Sequence, residues 1–353
     1  MFHDLQVVDV HRTTSEAIVV SLEPPSDTDF SFIQGQYLTF RQQLNGVELR
    51  RSYSLCSAPH ETNLRVAIKK VEGGAFSTWA HANLQVGETV QAMKPMGTFH
   101  TPLSPQQKRN YLGFAGGSGI TPVLSIIKTV LQTEPASTFT LVYANRSVQT
   151  IMFREELEDL KNLHMKRLSV IHVLDGKAQE IDLFTGPIDK QRCTALFDQW
   201  IDVNVMDVAY ICGPEKMMMD IKASLTEAGF EEKQIKFELF LSKQPGRLSQ
   251  SLPANQSAAE KQSTTLTVIM DGNARSLTMP AHTTLLEAML ANALEAPYAC
   301  RAGVCSTCRC KVVNGQVQMA ANHALEDYEV EQGYTLACQA YPMTEDVSVD
   351  FEN

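Results

Sequence analysis

The sequence predicts three consecutive folded domains: an antiparallel β-barrel, an α/β domain built on a parallel sheet, and a small α+β domain. Short apolar runs separated by turn residues fill the first hundred residues, whereas strands and helical segments alternate over residues 105–240. Residues 241–262 have no aromatic side chain and many Ser and Gln, which predicts a flexible linker before the last domain. The predicted boundaries are 1–104, 105–240, 241–262 and 263–353, and 353 residues suffice for such a multidomain chain.

Composition excludes several classes of protein. Hydrophobic residues make up 44% and charged residues 20%, which is an ordinary globular balance. No apolar run approaches the ~18 residues of a membrane span, and residues 1–10 lack the basic start and apolar stretch of a signal peptide. The net charge of −10 argues against nucleic acid as a partner. We therefore predict a cytoplasmic protein that binds neither membrane nor nucleic acid.

The barrel is predicted from apolar runs at 5–11, 17–22, 37–42, 47–55, 64–71 and 88–93. Turn residues such as Pro24-Pro25, Asn45-Gly46 and Gly73-Gly74 separate these runs. Strands at this spacing favour antiparallel pairing in a barrel or sandwich.

The second domain is predicted from apolar strands at 111–115, 139–143, 168–174, 208–212 and 235–240. Helical periodicity lies between them, at 121–133, 151–163, 190–201 and 214–228. This alternation predicts parallel strands joined by right-handed crossovers.

The last domain is predicted from strands at 265–270, 274–279, 311–313, 335–337 and 347–351, with a helix at 284–294. Residues 263–353 hold four Lys or Arg against eleven Asp or Glu, a net charge of −7. This excess of acid is either a solvated surface or a face that steers the domain toward a basic partner.

Five of the eight cysteines fall between residues 300 and 338. A chain of this length without an export signal is not a disulfide scaffold, so the cluster of cysteines predicts metal ligands. Cys300, Cys305 and Cys308 have C-x4-C-x2-C spacing, and Cys338 follows after 29 intervening residues, which is the plant-type [2Fe–2S] spacing. A zinc site with four thiolates is the alternative, although zinc ribbons favour two C-x2-C pairs. Cys310 is not needed for either site, and we interpret it as structural.

The segment from Tyr298 to Cys308 closely resembles plant-type ferredoxins. That resemblance implies a β-grasp fold, a 2Fe–2S cluster held by Cys300, Cys305, Cys308 and Cys338, and transfer of one electron at a time.

The first domain carries Arg51-Ser52-Tyr53-Ser54 on a predicted strand, followed by Val66-Ala67-Ile68-Lys69 and by Gly73-Gly74-Ala75-Phe76-Ser77. The glycines permit close backbone approach, and we expect Ser77 to open a helix whose N–H groups hold a phosphate. This order resembles the flavin domain of ferredoxin–NADP reductases. The resemblance implies FAD, with Arg51 on the phosphates, Tyr53 on the isoalloxazine and Ser54 near the flavin N5.

In the second domain, a strand ends in Gly116-Gly117-Ser118-Gly119-Ile120-Thr121-Pro122 before a helix. Pro122 stands where the last glycine of G-x-G-x-x-G would be, but a strand, Gly-rich turn and helix still form a pyrophosphate cradle. The segment is typical of ferredoxin reductase-like domains. In that family, the end of the second strand (Tyr143 to Arg146) would meet the adenosine ribose, and Cys212-Gly213-Pro214 would meet the nicotinamide.

Arg146 suggests which nucleotide is used. An arginine at this position can hold a 2′-phosphate, which favours NADPH over NADH, and a solvated loop cation is the alternative.

Phe237 to Phe240 resembles the reductase segment that borders the flavin, which implies that Glu238, Ser54 and Cys212 line the path of the hydride. The predicted catalytic residues are Ser54, Cys212 and Glu238. The predicted flavin- and nucleotide-binding residues are Arg51, Tyr53, Ser54, Ala67, Ile68, Lys69, Gly74, Ala75, Phe76, Ser77, Gly116, Gly117, Gly119, Thr121, Pro122, Arg146, Cys212, Gly213, Pro214, Met217 and Phe240.

The order of flavin, nicotinamide and ferredoxin domains resembles the reductase components of multicomponent oxygenases, in particular those of phenylacetyl-CoA epoxidase systems. The resemblance implies electron flow from NADPH through FAD and the cluster to a di-iron oxygenase of phenylacetate catabolism. Reductases for hybrid-cluster proteins and for ring-hydroxylating dioxygenases share this domain order, the latter with FMN. A flavoprotein with a zinc docking module and a self-contained quinone or oxygen reductase are further alternatives.

Overall fold

The computed structural model describes residues 2–175, 181–240, 263–270, 272–280 and 282–352. The chain divides into two compact units, Met1–Phe240 and Leu241–Asn353. The predicted linker, 241–262, lies outside the described residues. The domain boundaries inferred from the sequence stay a prediction.

The first unit begins with a six-stranded antiparallel sheet in the order β4-β3-β6-β1-β2-β5. An isolated bridge between Leu55, just after β4, and Val66 on β5 joins the two edge strands, so the sheet curls into a barrel. Alternating apolar residues such as Leu5, Leu38 and Phe40 fill its interior. The strands are β1 Phe2–Thr14, β2 Ala17–Glu23, β3 Tyr37–Leu44, β4 Val47–Ser54, β5 Leu64–Lys69 and β6 Thr89–Met93, and helix α1 spans Ala75–Asn83.

The same unit contains a five-stranded sheet in the order β11-β10-β7-β8-β9, in which every pairing is parallel. The strand order reverses between β7 and β10, and ligands of such sheets bind at that switch point. The strands are β7 Asn110–Gly116, β8 Thr138–Asn145, β9 Leu168–Leu174, β10 Val208–Gly213 and β11 Ile235–Leu239. The helices are α2 Ile120–Thr133, α3 Arg154–Leu163, α4 Lys190–Gln199 and α5 Glu215–Glu227.

Ion pairs connect the barrel to the helices of the parallel sheet. The Lys128 ammonium on α2, 6% exposed, lies 2.7 Å from Glu61 and 2.6 Å from Glu156 on α3. Arg65 on β5 pairs with the same Glu156 at 2.9 Å. These contacts fix the barrel against α2 and α3 within the first unit.

The second unit has a five-stranded mixed sheet in the order β13-β12-β18-β14-β16, and β15 and β17 form a separate pair. Leu285, Leu286 and Met289 of α6 pack into the same core as the sheet. The elements are β12 Thr264–Met270, β13 Asn273–Met279, α6 Leu285–Ala291, β14 Arg309–Asn314, β15 Val317–Met319, α7 Asp327–Glu331, β16 Tyr334–Leu336, β17 Ala340–Pro342 and β18 Asp346–Asp350.

Three local differences separate the sequence prediction from the structure. Helix α3 begins at Arg154 rather than near 151, because Phe153 has a left-handed backbone with φ of 57°. Strand β1 runs longer than predicted and pairs with both β2 and β6. The sequence prediction missed α7 and the β15–β17 pair because each is five residues or shorter, too short for a periodic signal.

Candidate functional site

One side-chain hydrogen bond connects the two sheets of the first unit. The Ser54 hydroxyl, at the end of β4, donates to the Glu238 carboxylate on β11 at 2.9 Å. Cys212 on β10 is the backbone neighbour of Glu238 in the parallel ladder. The three predicted catalytic residues, Ser54, Cys212 and Glu238, are therefore brought together by the ends of three strands.

Two of these three side chains, Glu238 and Cys212, have a pKa raised above its ordinary value. Burial raises the pKa of Glu238 to about 7, and the hydrogen bond from Ser54 opposes that rise. Burial also raises the pKa of the Cys212 thiol well above its ordinary value, and the Glu238 charge adds to the effect. Near neutral pH, Cys212 is thus a neutral thiol, and the adjacent Glu238 carboxyl group is present in both its protonated and its ionised form.

The predicted flavin-binding strand carries an aromatic group and a cation. The Tyr53 ring lies 5.7 Å from the Phe76 ring and 6.0 Å from the Phe40 ring. The half-buried Arg51 guanidinium donates to the Arg50 carbonyl at 2.7 Å. Ala67, Ile68 and Lys69 lie on β5.

The predicted role of Ser77 as the start of a helix is wrong. Helix α1 begins at Ala75 with Gly74 as its N-cap. The buried Ser77 hydroxyl instead accepts from the Val71 N–H at 3.1 Å and donates to the Gly74 carbonyl at 3.2 Å. Ser77 therefore holds the Gly73-Gly74 turn, where Gly73 adopts φ of +70°.

The Gly-rich turn after β7 packs backbone to backbone against the end of β10. A Cβ atom on Gly119 would lie 2.1 Å from the Cys212 carbonyl oxygen, and one on Gly213 would lie 3.0 Å from the Gly116 nitrogen. Only glycine permits this contact. Met217 and Pro214 pack against Gly116, where a Cβ atom would lie 2.6 Å from Pro214 Cδ.

The start of α2 suits an anion. Thr121 and Pro122 are buried in its first turn, where a proline costs no hydrogen bond, and the Thr121 hydroxyl donates to the Ser118 carbonyl at 3.0 Å. The Tyr143 hydroxyl donates to the Gly117 carbonyl at 3.0 Å and fixes the turn. The Lys69 ammonium lies 4.0 Å from the position of a Cβ on Gly117, so a cation faces this turn. A strand, a glycine-rich turn, a helix start and a nearby cation fit a nucleotide pyrophosphate.

Arg146 follows β8 and is 62% exposed. Its guanidinium lies 2.7 Å from the carboxylate of Glu16, in the turn between β1 and β2. The same carboxylate is 3.5 Å from the Lys69 ammonium. Glu16 therefore neutralises two cations beside the Gly-rich turn. The half-buried Phe240 packs against the core that contains Cys212.

The four predicted cluster ligands lie in the second unit as two pairs. A side-chain hydrogen bond between Cys300 and Cys305 lowers the pKa of Cys300, and one between Cys308 and Cys338 lowers the pKa of Cys338. Within the described residues, no three Cys, His, Asp or Glu side chains converge as they would on a single metal ion. Two thiol pairs fit a dinuclear cluster, in which each iron takes two cysteines.

Backbone N–H groups of the cysteine loop point at the sulfurs. The Ala302 N–H donates to the Cys300 sulfur at 3.3 Å, and the Cys300 N–H donates to the Cys305 sulfur at 3.4 Å. Left-handed backbone at Arg301, Gly303 and Ser306 gives the loop this curvature. Such donors stabilise negative charge on thiolates, so the residues present fit a 2Fe–2S cluster.

Cys310, on β14, is fully buried in the same core as Cys308 and Cys338. Sequence reasoning missed two polar residues at the sites. Glu16 lies 130 residues from Arg146 and gave no motif. Gln339 follows a cluster cysteine but belongs to no spacing pattern, although its side-chain amide lies 3.5 Å from the Cys338 sulfur.

Three family models match successive parts of the chain. An oxidoreductase FAD-binding domain matches residues 4–101, an oxidoreductase NAD-binding domain matches 114–223, and a 2Fe-2S iron-sulfur cluster binding domain matches 268–343. Together with the two sheets and the cysteine loop, these matches define an oxidoreductase that binds FAD, a nicotinamide nucleotide and a 2Fe–2S cluster. The predicted fold class and cofactor classes are confirmed.

The chain belongs to the ferredoxin reductase-like family of reductase components of multicomponent oxygenases. It is 40% identical to one of the subunits of the 1,2-phenylacetyl-CoA epoxidase of Escherichia coli (strain K12), over 99% of this chain and 98% of that protein. It is 31% identical to the ferredoxin reductase component of 3-ketosteroid-9-alpha-monooxygenase of Rhodococcus rhodochrous, over 97% of this chain and 94% of that one. The relatives are components of oxygenase systems, which indicates an oxygenase as partner.

Among solved structures, phthalate dioxygenase reductase shares the fold, with a TM-score of 0.59 and 21% identity. The alignment covers 99% of this chain and 98% of that one. Among the described residues, no helix combines the length and apolar character needed to cross a membrane.

Proposed function

We propose that this chain takes hydride from NADPH and delivers single electrons to the oxygenase of a phenylacetyl-CoA epoxidase system. The hydrogen bond between Ser54 and Glu238 beside Cys212 carries the proposal, because it joins the flavin-type barrel to the nucleotide-type sheet one strand from the switch point, which Cys212 itself borders. When bound, FAD accepts two electrons as hydride and releases them singly, and the cluster accepts one at a time.

The chain's own residues orient the reactants and control one proton. Tyr53 and Arg51 would hold the flavin ring and phosphates on β4, and Gly116, Gly117 and Gly119 would admit the nucleotide pyrophosphate. Ser54 directs its hydroxyl proton toward Glu238 Oε2. An ionised Glu238 would stabilise the positive charge that develops on the nicotinamide ring as hydride leaves. The buried, neutral Cys212 would pack against that ring without adding charge.

NADPH is proposed as the donor because Arg146 is an exposed cation directly after β8, where it could hold a 2′-phosphate on the adenosine ribose. A 2′-phosphate would compete with Glu16 for Arg146. NADH lacks that phosphate and gains nothing from this arginine.

Cys300, Cys305, Cys308 and Cys338 are proposed as the cluster ligands, with Cys310 excluded. The partner proposed is a di-iron oxygenase, on the strength of the 40% identity to a component of an epoxidase over essentially the whole chain. The cytoplasmic location inferred from the sequence stays a prediction.

The first experiment follows electrons through the holoprotein. The purified chain is mixed anaerobically with NADPH or NADH, flavin bleaching is followed by stopped flow, and cluster reduction is followed by EPR. We expect flavin and cluster to be reduced in that order, and faster with NADPH. Removal of FAD should abolish cluster reduction by NADPH. A cluster that is still reduced without FAD would contradict the route.

The second experiment identifies the partner. The holoprotein is combined separately with a phenylacetyl-CoA epoxidase oxygenase, a 3-ketosteroid monooxygenase oxygenase, a ring-hydroxylating dioxygenase and a hybrid-cluster protein. We expect coupled product formation only with the first. Preferential turnover with another acceptor would contradict the epoxidase assignment, as would a zinc-loaded flavoprotein without 2Fe–2S absorption or full activity with quinone alone.

A further inference from the structure

The side chain of Gln339 spans the two segments that carry the thiol pairs. Gln339 is 2% exposed and directly follows Cys338. Its Nε2 atom lies 3.1 Å from the Arg301 carbonyl oxygen and 3.5 Å from the Cys338 sulfur. One amide thus contacts the loop that begins at Cys300 and the sulfur of the last cysteine.

The chemistry of these contacts fixes the orientation of the amide. A backbone carbonyl can only accept a hydrogen bond, so the nitrogen rather than the oxygen of the amide faces Arg301. An amide nitrogen carries two hydrogens, and the second is directed at the Cys338 sulfur. The Gln339 Cγ atom would lie 3.1 Å from a Cβ on Gly303, so the absence of a side chain there leaves room for this path.

We infer that Gln339 raises the reduction potential of the 2Fe–2S cluster through a side-chain hydrogen bond to Cys338. The inference rests on the proposal that Cys338 is a cluster ligand. Reduction adds one electron and therefore one negative charge, which the ligand sulfurs share. A buried donor stabilises the reduced form more than the oxidised form, because an amide hydrogen bond strengthens with charge on its acceptor.

Gln339 is a positioning residue that would act through Cys338. Its bond to Arg301 restricts the amide, so little ordering is needed for the nitrogen to face the sulfur. The Ala302 N–H contacts Cys300, whereas Gln339 adds a side-chain donor to Cys338 of the other thiol pair, beside the backbone N–H of Gly303.

The test compares full-length holoprotein with the variants Gln339→Met and Gln318→Met by EPR-monitored redox titration. Methionine keeps most of the length of glutamine and removes the donor, and Gln318 is an exposed glutamine on β15 that serves as the control. For Gln339→Met we expect about a tenfold lower ratio of reduced to oxidised cluster at a fixed potential, equal to about 59 mV for one electron. The control should match the wild type, and iron and sulfide content should be equal in all three proteins.

An unchanged potential in a fully loaded Gln339→Met protein would overturn the inference. If that variant does not retain its cluster, a second measurement on the wild-type protein tests the inference. The protein is prepared with glutamine labelled by ¹⁵N only at the side-chain amide, and pulsed EPR of the reduced cluster should show a ¹⁵N coupling. Absence of that coupling would also overturn the inference. A wild-type chain without any cluster signal would instead contradict the ligand assignment on which the inference rests.

Discussion

At the scale of single residues, burial decides the chemistry of Glu238. Its carboxylate faces the buried Ser54 hydroxyl, and the loss of water around it raises its pKa to about 7. An ordinary exposed glutamate would stay ionised throughout the neutral range. The position of Glu238 therefore makes its charge depend on pH near neutrality.

We predict that the rate of hydride transfer rises as pH increases through about 7, since Glu238 loses its proton there and its charge favours departure of hydride. In Glu238→Gln this step in the pH profile should disappear, and the rate above pH 7 should fall about 10-fold to 100-fold. Stopped-flow flavin reduction between pH 6 and 9 measures both effects. The control is Glu23→Gln, an exposed glutamate at the end of β2. A profile that keeps its step in Glu238→Gln would assign the titration to another group.

If Arg146 and Lys69 bind the nucleotide as proposed, Glu16 would compete with it for these two cations, and removal of Glu16 should strengthen NADPH binding. For Glu16→Gln we predict a KM for NADPH that is about 2-fold to 5-fold lower, because a partly exposed ion pair contributes about 0.2–1 kcal/mol. The KM for NADH should change less. Steady-state kinetics with a one-electron dye as acceptor measure both values. A higher KM for NADPH would show instead that Glu16 holds Arg146 in its binding position.

At the scale of secondary-structure elements, the switch point depends on contact between two backbones. The turn at Gly117–Gly119 and the end of β10 approach so closely that the Cys212 carbonyl occupies the space of a side chain at Gly119. Helix α2 and strand β10 therefore cannot move apart without opening the proposed nicotinamide site.

Gly119→Ala should displace Cys212 and weaken nucleotide binding. A Cβ at 2.1 Å from a backbone oxygen cannot be relieved by a rotamer change, so we expect a loss of about 1–3 kcal/mol in the free energy of unfolding and a higher KM for NADPH. The neighbouring Ser118→Ala is the control, because Ser118 already carries a Cβ. Thermal unfolding of the holoprotein and dye-linked kinetics make the comparison. Wild-type values for both in Gly119→Ala would show that the turn tolerates a side chain.

At the scale of the whole molecule, the chain divides its chemistry between two compact units. All proposed hydride-handling residues lie in Met1–Phe240, and all proposed cluster ligands lie in Leu241–Asn353. A substitution that removes the cluster from the second unit should therefore leave oxidation of NADPH by the first unit intact.

We predict that Cys338→Ser loses the cluster and oxygenase turnover but retains NADPH oxidation with a two-electron dye near the wild-type rate. Cys310→Ala, which changes another buried cysteine of the same unit, should keep its cluster. Iron analysis, EPR and dye-linked assays give the three readouts. Loss of NADPH oxidation in Cys338→Ser would contradict the independence of the units, and loss of the cluster in Cys310→Ala would contradict the ligand set.

The amino-acid sequence alone was enough to predict the order of domains, the antiparallel and parallel sheets, and the cofactor classes. The sheets depend on local periodicity and the cluster on the C-x4-C-x2-C spacing, which nearby residues specify, whereas FAD and the roles of the nucleotide segments were implied by resemblance to a known family. The sequence prediction misplaced the start of α1, because Gly74 rather than Ser77 caps it.

The family resemblance had placed Ser54 and Glu238 on one hydride path, but the folded arrangement was needed to find their direct hydrogen bond. It was also needed to find that Glu16 neutralises Arg146 and Lys69, and that Gln339 reaches Cys338. The contacts of Glu238 and Glu16 join residues distant in the chain, and the direction of the Gln339 amide depends on the carbonyl of Arg301. Such contacts arise from how strands and loops pack, which no local pattern encodes.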